Sequence, residues 1–135
     1  MSIQVHLRGD ATDGHLAVIE LVMAAGEGGP PLHVHPKHGE GFYVLEGEVT
    51  FQVGDELVTV GPRAFAFAAA GTPHALANRT DRGARMLVLC APAGFEEYFD
   101  RLAAARPGDS TPVLPDPAYA FAVGPPLGGA RPAGV

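Results

Sequence analysis

Phe42-Tyr43-Val44-Leu45-Glu46-Gly47-Glu48-Val49-Thr50-Phe51-Gln52-Val53-Gly54-Asp55-Glu56-Leu57-Val58-Thr59-Val60 is the stretch that decides how this chain folds. Residues 42–45, 48–53 and 56–60 are rich in β-branched and aromatic side chains, which suit a pleated, half-buried surface. Two tight turns, Glu46-Gly47 and Gly54-Asp55, separate them. Gly-Asp between alternating runs predicts a two-residue hairpin, because glycine supplies the positive φ of a type II′ turn. In Val49-Thr50-Phe51-Gln52-Val53 apolar and polar residues alternate, so one face is buried and the other meets water.

Outward from this core, residues 15–23, 32–36, 64–68, 73–78 and 85–91 read as further strands. The loop Ala24-Ala25-Gly26-Glu27-Gly28-Gly29-Pro30-Pro31 is too rich in Gly and Pro to continue a ladder. Many short strands at this spacing predict an all-β barrel or sandwich. Residues 95–106 differ. Phe95, Tyr98, Phe99 and Leu102 recur at helical spacing among Glu96, Glu97, Asp100 and Arg101. The spacing predicts one amphipathic helix, on the outside of the barrel or closing one end.

From residue 107 to 135 the chain holds seven prolines and five glycines, which argues against helix and central strand. Two readings of this Pro/Gly-rich tail stand. It is flexible, or Tyr119 and Phe121 dock on the barrel or on a second subunit, with the last few residues disordered. The expected organisation is therefore one domain, residues 1–106 with a closing helix at 95–106, followed by the tail 107–135.

A chain of 135 residues suits one domain with a proper core, and an apolar share of 47% is ordinary for a globular protein. The net charge is −6 and no Lys/Arg cluster stands out, which argues against nucleic acid and anionic membrane surfaces as partners. Cys90 is the only cysteine, so no intrachain disulfide forms, as suits a reducing compartment. The first residues show no basic-then-apolar leader pattern, and no apolar run is long enough to span a bilayer. The expected location is cytoplasmic.

The chemistry-bearing residues are His33, His35, Glu40 and His74. All four are good ligands for a divalent transition metal, and three fall within eight residues. On a strand, residues i and i+2 share a face, so His33 and His35 point the same way. Glu40 lies an odd step further on, which calls for a turn or bulge, with Gly39 and Gly41 expected to supply the freedom. His74 follows Gly71-Thr72-Pro73 into another strand. His-x-His by itself fits an ordinary surface loop; its combination with Glu40, the glycines and His74 favours a metal site. Neutral imidazole and carboxylate suit Fe, Mn, Ni, Cu or Zn. Four protein ligands leave positions open for water, O₂ or a substrate oxygen. His38 is expected to be exposed or at the pocket mouth, and His6 and His15 at the surface. Cys90 reads as a small buried hydrophobe without a local base.

These residues resemble the cupin superfamily. Its first motif is Gly-x5-His-x-His-x3-4-Glu-x6-Gly. His33-x-His35-x4-Glu40-x6-Gly47 matches, with Gly28 one residue nearer than the motif's first glycine. Its second is Gly-x5-Pro-x-Gly-x2-His-x3-Asn. Gly71-x2-His74-x3-Asn78 matches, with Arg63 in place of the first glycine and Ala69 in place of the proline. Pro-Pro-Leu-His-Val-His, Phe-Tyr-Val-Leu-Glu-Gly-Glu, Pro-Ala-Gly-Phe-Glu-Glu-Tyr-Phe and the late Val-Gly-Pro-Pro-Leu look like the small single-domain cupins grouped with quercetin dioxygenase. The resemblance implies an antiparallel, jelly-roll-like barrel of six to eight strands, often dimeric. It implies His33, His35, Glu40 and His74 as ligands of one divalent transition metal. The implied function is a metal-dependent dioxygenase acting on a small hydroxylated compound, aromatic or flavonol-like. Glu40 would be ligand and general base, and Phe42, Phe51 and Phe67 would be the apolar wall. Two alternatives are a non-oxidative metal cupin (isomerase, lyase or polyketide-cyclase-like) and a binding module without turnover. The expected partners are the small-molecule substrate and a second copy of the chain.

Overall fold

The computed structural model of the chain describes residues 1–105, 108 and 115–129. Its strands are β1 (Ser2–Leu7), β2 (Ala17–Met23), β3 (Pro31–Val34), β4 (Gly39–Glu46), β5 (Val49–Val53), β6 (Glu56–Val60), β7 (Phe65–Ala68), β8 (His74–Ala77), β9 (Ala84–Ala91) and β10 (Phe121–Pro126). One helix, α1 (Glu96–Ala104), follows β9. The strands form two five-stranded antiparallel sheets, ordered β1-β2-β9-β4-β7 and β10-β3-β8-β5-β6. The sheets do not close into one ring. They face each other as a barrel-like jelly-roll sandwich.

Period-two alternation builds the core between them. In β2 and β9, Ala17, Ile19, Leu21, Met23, Ala84, Met86, Val88 and Cys90 are buried, while the residues between them are half-buried. Phe42, Val44, Val49 and Phe51 meet these side chains from β4 and β5. The Gly54-Asp55 turn joins β5 to β6 with Val53 opposite Glu56, and Gly54 has φ of 59°, as a type II′ hairpin needs. Glu46-Gly47 joins β4 to β5 differently. Those two strands belong to opposite sheets, so this turn is a crossing between layers. Gly47 has φ of 78°, and a Cβ there would lie 2.5 Å from the Gly83 carbonyl oxygen, so only glycine fits.

Arg63 stands where the second motif has glycine, and it adopts the glycine backbone with φ of 66°. Its amide donates to the Val44 carbonyl at 2.8 Å, which holds the turn against the strain. Arg63→Gly is therefore expected to stabilise the fold by about 1 kcal/mol, the strain relieved less the added chain entropy. The thermal midpoint should rise by roughly 4 °C, and an unchanged or lower midpoint would refute the strain.

The tail is not all loop. Phe121 to Pro126 adds β10 to the edge of the second sheet, beside β3, with Leu127 buried beyond it. Pro125 and Pro126 are tolerated because an edge strand need not donate on its open side. The remaining tail residues, and the expected disorder of the last few, lie outside the described residues. The helix starts at Glu96, one residue later than expected, and Phe95 just before it turns inward. Glu96 is buried and caps the approach by accepting the Gly9 amide at 2.8 Å and the Gly94 amide at 2.5 Å. Among the described residues no helix is long and apolar enough to cross a membrane.

Candidate metal centre

His33 on β3 and His74 on β8 are directly opposite each other across one strand pair of the second sheet. Glu40 on β4 comes from the facing sheet, where its cross-strand neighbours are Cys90 and Ala68. His35 lies one residue beyond β3. Each of the four residues offers a ligand atom, and these atoms all lie within 4.8 Å of one another. The odd step from His35 to Glu40 has a simple origin. The chain bends at Pro36-Lys37 and crosses from one sheet to the other, so inward on β3 and inward on β4 are opposite directions.

Gly39 and Gly41 therefore do a different job from the one expected. Neither has a positive φ, and the β4–β9 ladder runs through both in regular register. A Cβ on Gly39 would stand 3.2 Å from Phe67 Cζ, and one on Gly41 3.0 Å from Phe65 Cε1. The glycines leave room for two rings on the outer face of the sheet. That also corrects Phe67 as a pocket wall: alternation along β7 sends Ala66 and Ala68 inward and Phe67 outward, where it is 63% exposed. Phe42 and Phe51 do face inward. Their rings pack at 4.8 Å, and Phe42 lies 6.1 Å from the His74 ring.

The imidazoles are oriented by backbone carbonyls. Nδ1 of His33 donates to the Pro31 oxygen at 2.7 Å, Nδ1 of His35 to Tyr119 at 2.7 Å, and Nδ1 of His74 to Thr72 at 2.9 Å. A carbonyl can only accept, so each Nδ1 carries the proton and each Nε2 keeps the lone pair a metal requires. Nε2 of His74 meets Glu40 Oε2 at 2.9 Å, and Nε2 of His35 meets Oε1 at 3.3 Å. With a carbonyl on one ring nitrogen and a carboxylate on the other, His74 needs either a second proton or a cation in that gap.

The electrostatics agree. Burial alone would raise the Glu40 pKa, but contacts with His35, His38 and His74 outweigh it and hold the carboxyl well below the usual range. Burial lowers His74, yet the hydrogen bond and charge of Glu40 win and its pKa is raised above 6.5. Burial, then the neighbouring His74, lowers His33 to about 4. A metal must displace the His74 proton. Its affinity is expected to rise about tenfold per pH unit up to the raised His74 pKa and then level off. Isothermal titration across pH checks this, and a flat profile through neutrality would contradict the displaced proton.

Three contacts sharpen the sequence reading, in which a helix closing one end and Tyr119 docked on the barrel were each one of two alternatives. His38, expected to be exposed or at the pocket mouth, is only 2% exposed and sends Nε2 to within 3.6 Å of Glu40 Oε1. The Pro36-Lys37 bend turns it in, and Phe95 covers it with ring centroids 5.3 Å apart. Phe95 also packs on His35 at 4.6 Å, so the segment leading into α1 closes one end of the sandwich. Tyr119, far along the tail, contributes the carbonyl that orients His35. Cys90 is buried as expected, and burial pushes its thiol pKa well up. Asn78 anchors the loop after β8 by donating to the Ala24 and Arg82 carbonyls at 3.0 and 2.7 Å.

A pair of facing sheets with three imidazoles and a carboxylate between them, a set that could hold a metal ion, defines a cupin-type domain. The Cupin domain family model matches residues 19–90, and the chain belongs to that family. Protein TT1209 of Thermus thermophilus is 34% identical, covering 58% of this chain and 74% of that one with a TM-score of 0.55. The DMSP lyase DddQ of Ruegeria pomeroyi is also 34% identical, over 58% of this chain and 39% of its own, with a TM-score of 0.52. A predicted oxalate decarboxylase of Thermotoga maritima shares the fold at 20% identity, covering 67% and 78% with a TM-score of 0.63. No curated protein matches.

Proposed function

We propose that the chain is a metal-dependent enzyme that holds one divalent transition ion on His33, His35, Glu40 and His74. We read it as a dioxygenase of the quercetin dioxygenase-like group, acting on a small hydroxylated compound, aromatic or flavonol-like. The observation that carries the metal reading is the set of three Nδ1-to-carbonyl bonds, which leaves three Nε2 lone pairs converging on one carboxylate. Bound there, the ion supplies Lewis acidity and open coordination positions. The chain's residues do the rest. Glu40, kept ionised, accepts the proton of the substrate hydroxyl and returns it. Phe42 and Phe51 keep water from beneath His74. His33 is the half-buried member of the set, so substrate enters past it.

A non-oxidative reading, a lyase or isomerase using the ion only as a Lewis acid, is favoured by the 34% identity to a DMSP lyase. Oxygen dependence separates the two. Protein purified without a chelating tag is assayed for metal and then screened for O₂ uptake with flavonols and other phenolics. Uptake coupled to substrate loss supports the dioxygenase, and turnover under strict anaerobiosis supports the second reading.

We assign the expected homodimer contact to the outer face of the first sheet. Phe65 and Phe67 are exposed there beside the half-buried Tyr43, Leu87 and Leu89, where a solvated face would be polar. An apolar patch tolerates meeting itself across a two-fold axis, as a dimer of identical chains requires. Phe67→Asp is expected to weaken the dimer at least about 30-fold in sedimentation experiments while leaving metal content unchanged. A monomeric wild type would end this assignment.

A further inference from the structure

His38 is an imidazole outside the four-residue set. Both its ring nitrogens are buried and neither has a hydrogen-bond partner. Beside it, Cys90 is fully buried and sits directly across the ladder from Glu40. Both approach the same carboxylate oxygen. Glu40 Oε1 is 3.6 Å from His38 Nε2 and 3.8 Å from Cys90 Sγ. The first separation is too long for a hydrogen bond, and the second makes at best a weak thiol contact. Both suit ligands of a single tetrahedral ion. With bonds of about 2.1 Å to N and O and about 2.3 Å to S, adjacent ligand atoms stand roughly 3.4–3.6 Å apart. One ligand atom from each of the three residues lies within 4.8 Å of the others.

We propose that His38, Glu40 and Cys90 form a second cation position, bridged to the first through the Glu40 carboxylate and selective for a thiophilic divalent ion such as Zn(II) or Co(II). Oε2 lies toward His74, while Oε1 stands between His35 at 3.3 Å on one side and His38 and Cys90 on the other. On binding, the Cys90 thiol releases its proton to solvent and coordinates as thiolate. Imidazole, carboxylate and thiolate leave the fourth position of a tetrahedral ion open. Phe95 lies over the His38 ring and keeps this position away from bulk water. The inference shares Glu40 with the site read above and rests on that reading only through this residue.

The test is titration of metal-free, reduced protein with Co(II), followed by metal analysis and near-ultraviolet absorption. Two equivalents and a thiolate-to-cobalt charge-transfer band are expected. Cys90→Ser should abolish the band and keep one equivalent, and His38→Ala should also lose one equivalent. His33→Ala should keep the band. One equivalent with no band in the wild type would overturn the second position and leave the four-residue site standing. A single equivalent whose band is lost in both His33→Ala and Cys90→Ser would overturn it too, by showing one ion shared between the sets. No bound cobalt at all would sink both readings.

Discussion

Replacing His74 by alanine should release the ion of the four-residue site almost completely. Losing a residue that merely orients a ligand costs about 10–100-fold in metal affinity, and losing a ligand costs more. His74 has two further claims on the site. It sits directly opposite His33 on the neighbouring strand, and its Nε2 is 2.9 Å from Glu40 Oε2. Without it the carboxylate loses its nearest positive partner while still buried, which is expensive in its own right. Metal analysis and calorimetry of His74→Ala check the result. With Cys90→Ser added to silence the second position, a His74→Ala protein that holds one equivalent with unchanged affinity would break the four-ligand assignment. The fold itself should survive, because β8 is also held by its pairing with β5 from Thr50 to Val53.

The second large effect belongs to Glu40→Gln. The amide keeps the size of the side chain and removes its charge. If Glu40 is the proton acceptor, turnover of the substrate identified by the oxygen screen should fall by about 10²–10⁴-fold, the usual worth of a positioned general base. Metal should still bind, more weakly. The His74 pKa should drop as well, since the Glu40 hydrogen bond and charge are what raise it against the opposing effect of burial. In the metal-free wild type that same pair stabilises the fold below pH 6.5. The contribution is lost as pH rises through the raised His74 value. Glu40→Gln should therefore flatten that part of the stability profile. Full activity and full metal in the variant would remove Glu40 from proton transfer.

These two experiments separate roles that the geometry places on adjacent atoms. His74 is tested through metal content, which no base role would change. Glu40 is tested through turnover at retained metal, which a purely structural carboxylate would leave high. The cobalt titration addresses the opposite side of Glu40, through His38 and Cys90, and so does not depend on activity.

Much of this was legible in the chain. The alternation of Val49 to Val53 and the Gly54-Asp55 turn announced the β5–β6 hairpin, because side-chain period and turn dihedrals are local properties. The residue types and spacing of His33, His35, Glu40 and His74 marked the candidate metal set, because ligand chemistry is written in side-chain identity. Strand parity, however, says only which residues share a face within one strand. It cannot say that β3 and β4 lie in opposite sheets, and this is why the step to Glu40 pointed wrongly to flexible glycines. The same limit placed Phe67 in the pocket and His38 at its mouth or outside it. Only the packed sandwich sets Cys90 against Glu40 and brings the Tyr119 carbonyl back to His35 across 84 residues of sequence. Those contacts join segments that carry no mark of one another. They follow from the closing of two sheets over one buried carboxylate, which no stretch of the sequence contains alone.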